Sequence, residues 1–160
     1  MTCLLQTIKQ VDNAICQIES IKKYYSGWYL STDLDNVILM PKHFVLILVI
    51  HKNKSVGHFI IAHRINHERL NIFCSLGTNP VKYGLNDFIH ANTINTFRYS
   101  TVKLQSNRSS CCAYFCLFYL YKIIVNSLDF EQFLQVFEHK QIEENENIVY
   151  DFVNKYFMLK

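Results

Sequence analysis

Gln105-Ser106-Asn107-Arg108-Ser109-Ser110-Cys111-Cys112-Ala113-Tyr114-Phe115-Cys116 runs from a polar turn straight into an apolar helix, and its reading decides the fold. From residue 112 to 125 nearly every side chain is apolar, among them Ala113, Tyr114, Phe115, Leu117, Phe118, Leu120, Ile123 and Ile124. No face is left to meet water, so the helix belongs at the centre of a core. Lys122 and the short length separate it from a membrane span, which needs about 20 apolar residues. Ser109 and Ser110 are natural N-cap residues, which places Cys112 in the first turn. There, unpaired backbone N–H groups and the positive end of the helix dipole favour an anion. A cysteine at such a place has its thiolate stabilised and becomes a better nucleophile. The competing reading takes Cys111, Cys112 and Cys116 as small buried hydrophobes.

Working outward, 160 residues with 50% hydrophobic and 14% aromatic content suffice for one substantial core, so 1–160 reads as a single domain. Its parts are an N-terminal helix over 1–22, a core over 27–126 and C-terminal helices over 129–160. Cys3, Cys16, Cys74, Cys111, Cys112 and Cys116 show neither a secretory leader nor paired metal-ligand spacing. Reduced thiols in an intracellular protein, with no metal and no membrane contact, are expected. A net charge of +3 permits, without implying, contact with nucleic acid.

Before the central stretch, Leu4, Ile8, Val11, Ile15 and Ile18 repeat at helical spacing, with Lys9, Asp12, Asn13 and Gln17 on the other face. Ser26-Gly27 breaks this helix, Trp28-Tyr29-Leu30 begins an extended region, and Asp33 and Asp35 mark a turn. Residues 43–50 are a β-branched and apolar run that reads as a buried strand. A polar turn over 51–55 leads to a second strand at 57–62, and a third follows at 69–74. Short turns between them predict an antiparallel meander. Ser75 to Pro80 carries turn chemistry, 87–91 reads as a short helix and 97–104 as a further strand. After the central helix, Asp129 with Gln132 resembles a capping box, with Phe133, Leu134 and Phe137 turned inward. A final helix starts in the acidic stretch 143–147 and carries Ile148, Val149, Phe152, Val153, Tyr156 and Phe157 at helical spacing. No repeat or second-domain boundary is visible. The fold class is α+β, a mostly antiparallel central sheet flanked by helices.

A nucleophilic thiol needs a base. His58 opens a buried strand just after Gly57, whereas His43, His51, His63, His67, His90 and His139 lie at strand ends, in turns or in polar contexts. Cysteine, histidine and a polar side-chain donor shortly before the cysteine are what acyl transfer requires.

Gly57-His58-Phe59, Phe73-Cys74-Ser75-Leu76-Gly77, and Gln105 followed seven residues later by Cys112 resemble the adenovirus protease (adenain) family. That group includes proteases of DNA viruses and large DNA transposons and is more distantly similar to the SUMO-deconjugating, Ulp-type proteases. The likeness runs from about Gly27 to Leu120, including Gly27-Trp28-Tyr29-Leu30-Ser31-Thr32-Asp33-Leu34. It implies a papain-like/Ulp-like core with Cys112 as nucleophile, His58 as general base, and Gln105 with the backbone N–H of Cys112 as the oxyanion hole. It also implies a polypeptide substrate, a viral or element-encoded precursor cut beside small residues such as glycine. The alternative activity is removal of ubiquitin-like modifiers. A monomer in the host nucleus or cytoplasm, or in the virion, follows from the same resemblance.

Two positions depart from the family's pattern. Its acid, which orients the histidine, stands where this chain has Cys74, and the glycine that commonly follows the nucleophile is Ala113. A neutral thiol fixes an imidazole tautomer less firmly than a carboxylate. Three explanations stay open: a Cys-His pair served by Gln105, an orienting group supplied by Ser75, Asn71 or Glu68, or a weakened homologue acting as a binding module. The family's activating peptide is disulfide-linked, but Ile94 or a neighbour occupies the matching region, so no cofactor is required. DNA as an activator would act through Lys22, Lys23, Lys52, Lys54, Arg64 and Arg69.

Overall fold

Strand β3 (His58–Arg64) lies in the middle of a five-stranded sheet whose spatial order follows the sequence: β1 (Tyr25–Leu30), β2 (Phe44–Val49), β3, β4 (Arg69–Phe73) and β5 (Thr96–Tyr99). The computed structural model describes residues 3–50, 57–93 and 96–159. β2, β3 and β4 form the expected antiparallel meander, while the edges pair parallel, β1 with β2 and β5 with β4. Parallel neighbours need a crossover. Between β4 and β5 this carries a 3₁₀ turn (Pro80–Tyr83) and helix α3 (Asn86–Asn92).

The three inner strands, β2, β3 and β4, are buried on both faces, and their period of two divides the core. Phe44, Leu46, Phe59, Ile61 and Phe73 share one apolar cluster with the central helix, α4 (Cys112–Leu120). Val45, Ile47, Ile60, Ala62, Ile72 and Cys74 belong to a second cluster with Phe88 and Ile89 of α3. Every residue of α4 is buried, as its unbroken apolar run requires. An aromatic layer locks it down: Phe73 stacks on Tyr119 at 5.0 Å, and Phe133 meets both edge-on. Phe133 comes from α5 (Phe130–Gln135), which opens with the expected Asp129–Gln132 capping box. α6 (Ile142–Tyr156) closes the layer with Val149 and Val153 buried.

Several expected boundaries move. The central helix is α-helical only to Leu120 and continues as a π-helical turn, Tyr121–Val125, where three successive β-branched residues fit an α-helical turn poorly. The helix over 1–22 is two pieces, α1 (Ile8–Ile15) and α2 (Glu19–Lys22), because the backbone extends at Ile18 and Thr7 caps α1 in a box with Gln10. Leu4 is accordingly 55% exposed while its neighbours Cys3 and Leu5 are buried. Ser26-Gly27 does not precede a strand but lies within β1, where Gly27 (φ +94°) accommodates a register irregularity between Tyr25 and Trp28. β5 stops at Tyr99 because Ser100 turns its hydroxyl to the backbone of Cys74. The expected turn over 51–55, with His51, Lys52 and Lys54, and Ile94 lie outside the described residues.

The cysteines need a larger correction. Cys3 and Cys111 form a disulfide, their Cα atoms 5.4 Å apart, so the thiols are not all free. Even spacing gave no hint of it, because 108 residues separate the partners and only the packing of the N-terminal segment over α4 joins them. Among the described residues, no helix is long and apolar enough to cross a membrane.

Candidate active site

The N-terminus of α4 is built differently from the simple serine cap. Cys111 occupies the N-cap, with no side-chain cap, while the Ser109 hydroxyl accepts the Cys111 N–H at 3.2 Å. Cys112 is therefore the first helical residue, its own N–H left without an intrahelical acceptor. Its side chain is 8% exposed. Burial pushes the thiol's pKa up, and backbone hydrogen bonds from Phe59, Ala113 and Cys112 itself only partly offset this. The helix end thus does not by itself give a thiolate, because desolvation outweighs it. The contact with Phe59 sets the sulfur beside the residue that follows His58. Cys116, one turn on, donates to the Phe59 carbonyl at 3.4 Å and is a packing thiol.

His58 opens β3 and is 6% exposed. Its Nε2 lies 3.3 Å from the Cys74 Sγ, just past the end of β4. The antiparallel pairing of β3 with β4 brings these residues together, since the start of one strand meets the end of the other. The Cys74 sulfur is in turn 3.6 Å from the Tyr83 hydroxyl. Tyr83 ends the 3₁₀ turn that begins at Pro80, capped by the Asn79 side chain and closed by Gly84 in the left-handed region (φ +77°). Burial pushes the phenol's pKa up, as does the adjacent Cys74 sulfur, so Tyr83 keeps its proton.

Gln105 is 2% exposed and held from both ends. Its Oε1 accepts the Ser75 hydroxyl at 2.6 Å, and its Nε2 donates to the Ser109 carbonyl at 2.8 Å. A carbonyl can only accept, so the amide nitrogen must face Ser109, and one of its two N–H groups remains for another acceptor. The backbone is fixed as firmly. The Ser75 carbonyl accepts the N–H groups of Leu104 and Gln105. From α6, Asn145 donates to the Leu104 carbonyl and Glu146 accepts the Ser106 N–H at 2.9 Å. Gly77 is required here, since a Cβ would sit 2.8 Å from the Val102 carbonyl carbon and its φ is +68°.

The structure therefore brings His58 and Cys74 together and seats Gln105 and Cys112 on one short segment, five residues of which are closed by the Gln105–Ser109 bond. The three alternative orienting groups go elsewhere. Ser75 is engaged by Gln105. Asn71 pairs across the sheet with His63, and Glu68 is exposed beyond the far end of β4. His63 has its own network: its Nε2 meets the Lys42 carbonyl at 3.1 Å, its Nδ1 the Tyr119 hydroxyl at 3.3 Å. Burial lowers its pKa to about 4. Of the basic residues considered for DNA, Arg64 is spent on the Leu39 and His67 carbonyls and Lys22 pairs with Glu19. No group of His, Cys, Asp and Glu suited to a metal occurs among the described residues. Two cavities of about 940 and 490 Å³ are lined by neither Cys112 nor His58. Sequence reading missed Tyr83 and Glu146. Tyr83 could have been suspected from its place soon after the Phe-Cys-Ser-Leu-Gly turn, whereas Glu146 gave no local signal.

No protein-family profile matches this chain, and no curated protein matches it. Among solved structures it is similar to a crystal structure of the ASFV protease over 98% of this chain and 68% of that one, at a TM-score of 0.58 and 11% identity. A selenomethionine crystal structure of the same protease matches 64% of this chain and 41% of that one, at a TM-score of 0.42 and 12% identity. In that second match the chain spans less than half the length of its counterpart. The first match establishes that this chain has the α+β fold of that protease.

Proposed function

We propose that the chain is an adenain-like cysteine protease in which Cys112 is the nucleophile, His58 the base, and Gln105 with the Cys112 N–H the oxyanion hole. The observation that carries this reading is the double anchoring of Gln105, which leaves one amide N–H beside a helix N-terminus that begins with a cysteine. A buried glutamine held this firmly costs little reorganisation when charge develops on a substrate oxygen. With Nε2 at Cys74, the base is Nδ1. It takes the Cys112 proton as the sulfur bonds to the peptide carbonyl carbon and the carbonyl electrons move onto oxygen, facing Gln105 Nε2 and the Cys112 N–H. Collapse of this intermediate breaks the C–N bond, and the imidazolium gives its proton to the leaving amine. Water then attacks the thioester, its proton passing to Nδ1, and as the C–S bond breaks Nδ1 returns that proton to the sulfur, releasing the carboxyl product and restoring the thiol.

The substrate class we favour is a viral or element-encoded precursor polypeptide cut beside small residues such as glycine by a monomeric enzyme. Parallel assays on a Gly-Gly-containing precursor peptide and on ubiquitin-like conjugates separate this from deconjugation. DNA activation is tested by mobility of the protein with duplex DNA; no shift at low salt removes it. The decisive experiment is labelling with a peptide vinyl sulfone. We expect the parent and Cys111→Ala to label and Cys112→Ala and His58→Ala to fail. Undiminished labelling of Cys112→Ala rejects the nucleophile, and a folded parent that never labels favours the binding-module reading.

A further inference from the structure

The thiol at Cys74 stands where a carboxylate would orient the base, yet it is not an empty substitution. It touches His58 Nε2 at 3.3 Å on one side and the Tyr83 hydroxyl at 3.6 Å on the other. We propose that Cys74 and Tyr83 form a positioning pair for His58, in which the sulfur accepts the Nε2–H and the phenol O–H together and so holds the imidazole in the tautomer that leaves Nδ1 as the base. The inference rests on the protease reading for the role of Nδ1, though the hydrogen-bond chain exists without it.

Three features assign the direction of each hydrogen bond. If Nδ1 is to take a proton, Nε2 must carry the ring hydrogen, and the sulfur must accept it. The phenol keeps its proton, held by burial, and so has an O–H to offer the sulfur 3.6 Å away. Thr78 is also within hydrogen-bonding reach of Tyr83 and lowers the phenol's pKa, the effect of a hydroxyl that donates to the phenolic oxygen and frees its proton for Cys74. The donors Thr78 and Tyr83 then run in sequence to Cys74, where they meet the Nε2–H of His58 coming from the other side. Sulfur is a weak acceptor, and a phenol O–H directed at it favours negative charge on the sulfur, which faces the imidazolium as that forms.

The pair is built by the backbone around it. Cys74 is 1% exposed, and Ser100 brackets it, its hydroxyl accepting the Cys74 N–H and donating to the Cys74 carbonyl. Tyr83 is fixed by the Asn79-capped turn and Gly84. Neither residue touches the reacting carbonyl in this scheme; both act through His58.

The test uses the full chain with ¹⁵N-histidine labelling, the His58 signal being identified by its loss in His58→Ala. Two readouts are taken: the His58 tautomer from ¹⁵N shifts, and the rate of Cys112 alkylation by iodoacetamide relative to Cys16. The parent is expected in the Nε2–H tautomer. Tyr83→Phe, which removes one oxygen, should populate the Nδ1–H form and slow alkylation about tenfold, the effect of losing one neutral hydrogen bond. Cys74→Ala should do the same, and Cys74→Ser, which keeps an acceptor, should restore the parent tautomer. Tyr83→Phe with an unchanged His58 tautomer overturns the proposal, as does a Cys74→Ala chain indistinguishable from Cys74→Ser. Should Tyr83→Phe fail to fold, the Cys74→Ala and Cys74→Ser comparison decides alone. Failure of the protease reading looks different: Cys112 reacts no faster than Cys16 in the parent, while the tautomer shift still decides the positioning pair.

Discussion

Cys3→Ser is expected to destabilise the chain strongly under oxidising conditions and not at all under reducing ones. The disulfide spans a sequence separation of 108 residues, so the unfolded chain without it recovers the entropy of a very long loop. Loop-closure entropy for that length amounts to about 4.8 kcal/mol at 25 °C, near the top of the roughly 2–5 kcal/mol that removing native disulfides costs. For a domain of this size a loss of that order lowers the melting temperature by about 10 °C or more. The folded-state contacts point the same way, because Cys3 and Leu5 are buried against the cluster that contains Cys111 and Cys112, and the Leu4 N–H donates to the Tyr114 hydroxyl at 3.2 Å. The assay is urea unfolding followed by tryptophan fluorescence, with the bridge verified by intact mass before and after alkylation. The parent with a dithiol reductant should match Cys3→Ser without it, and the variant should ignore the reductant. Equal midpoints for the oxidised parent and Cys3→Ser, with the bridge present by mass, would refute the reasoning.

Three further outcomes follow from the geometry. His63 is buried neutral with its pKa lowered to about 4 against an ordinary 6.5, so the unfolded chain takes up its proton first as pH falls. Stability should therefore decline between about pH 6.5 and pH 4 by about 3 kcal/mol and then level off for this group, and His63→Gln should flatten that slope in urea titrations. Gly77→Ala places a Cβ 2.8 Å from the Val102 carbonyl carbon in a left-handed backbone. It should cost about 1–3 kcal/mol and reduce kcat by displacing the segment that carries Gln105; parent-like stability and turnover would show that the segment has room to yield. Glu146→Ala removes the acceptor of the Ser106 N–H on the segment that carries Gln105, and under the proposed oxyanion-hole role of Gln105 peptide hydrolysis should show kcat lowered about tenfold with KM little changed. Glu146→Gln, which keeps an acceptor oxygen, should recover most of it, and a loss in KM alone would contradict the assignment.

The apolar run of α4, the three strands of the meander and the capping box at Asp129 were legible because their signals are local. A helix with no polar face, runs of β-branched residues between turns, and an Asp three residues before a Gln each specify structure within a few positions. The same holds for the separation of Gln105 and Cys112, which lie on one segment and meet the helix N-terminus together. What was lost at this level were boundaries set by other parts of the chain. β5 ends where Ser100 is drawn to Cys74, and the N-terminal helix divides at Ile18, where the backbone extends.

Sequence by itself determined the α+β class and the cysteine at the head of a buried helix, because burial and helix starts follow from the order of side chains along the chain. Tertiary structure alone decided what surrounds that cysteine. The Cys3–Cys111 bridge, the contact of His58 with Cys74, the Tyr83 hydroxyl behind it and the α6 clamp on the Gln105 loop all join residues from different elements of the fold. Each is a short-range hydrogen bond or covalent link, and no local pattern of residues announces which distant partner the folded sheet will bring within about 4 Å.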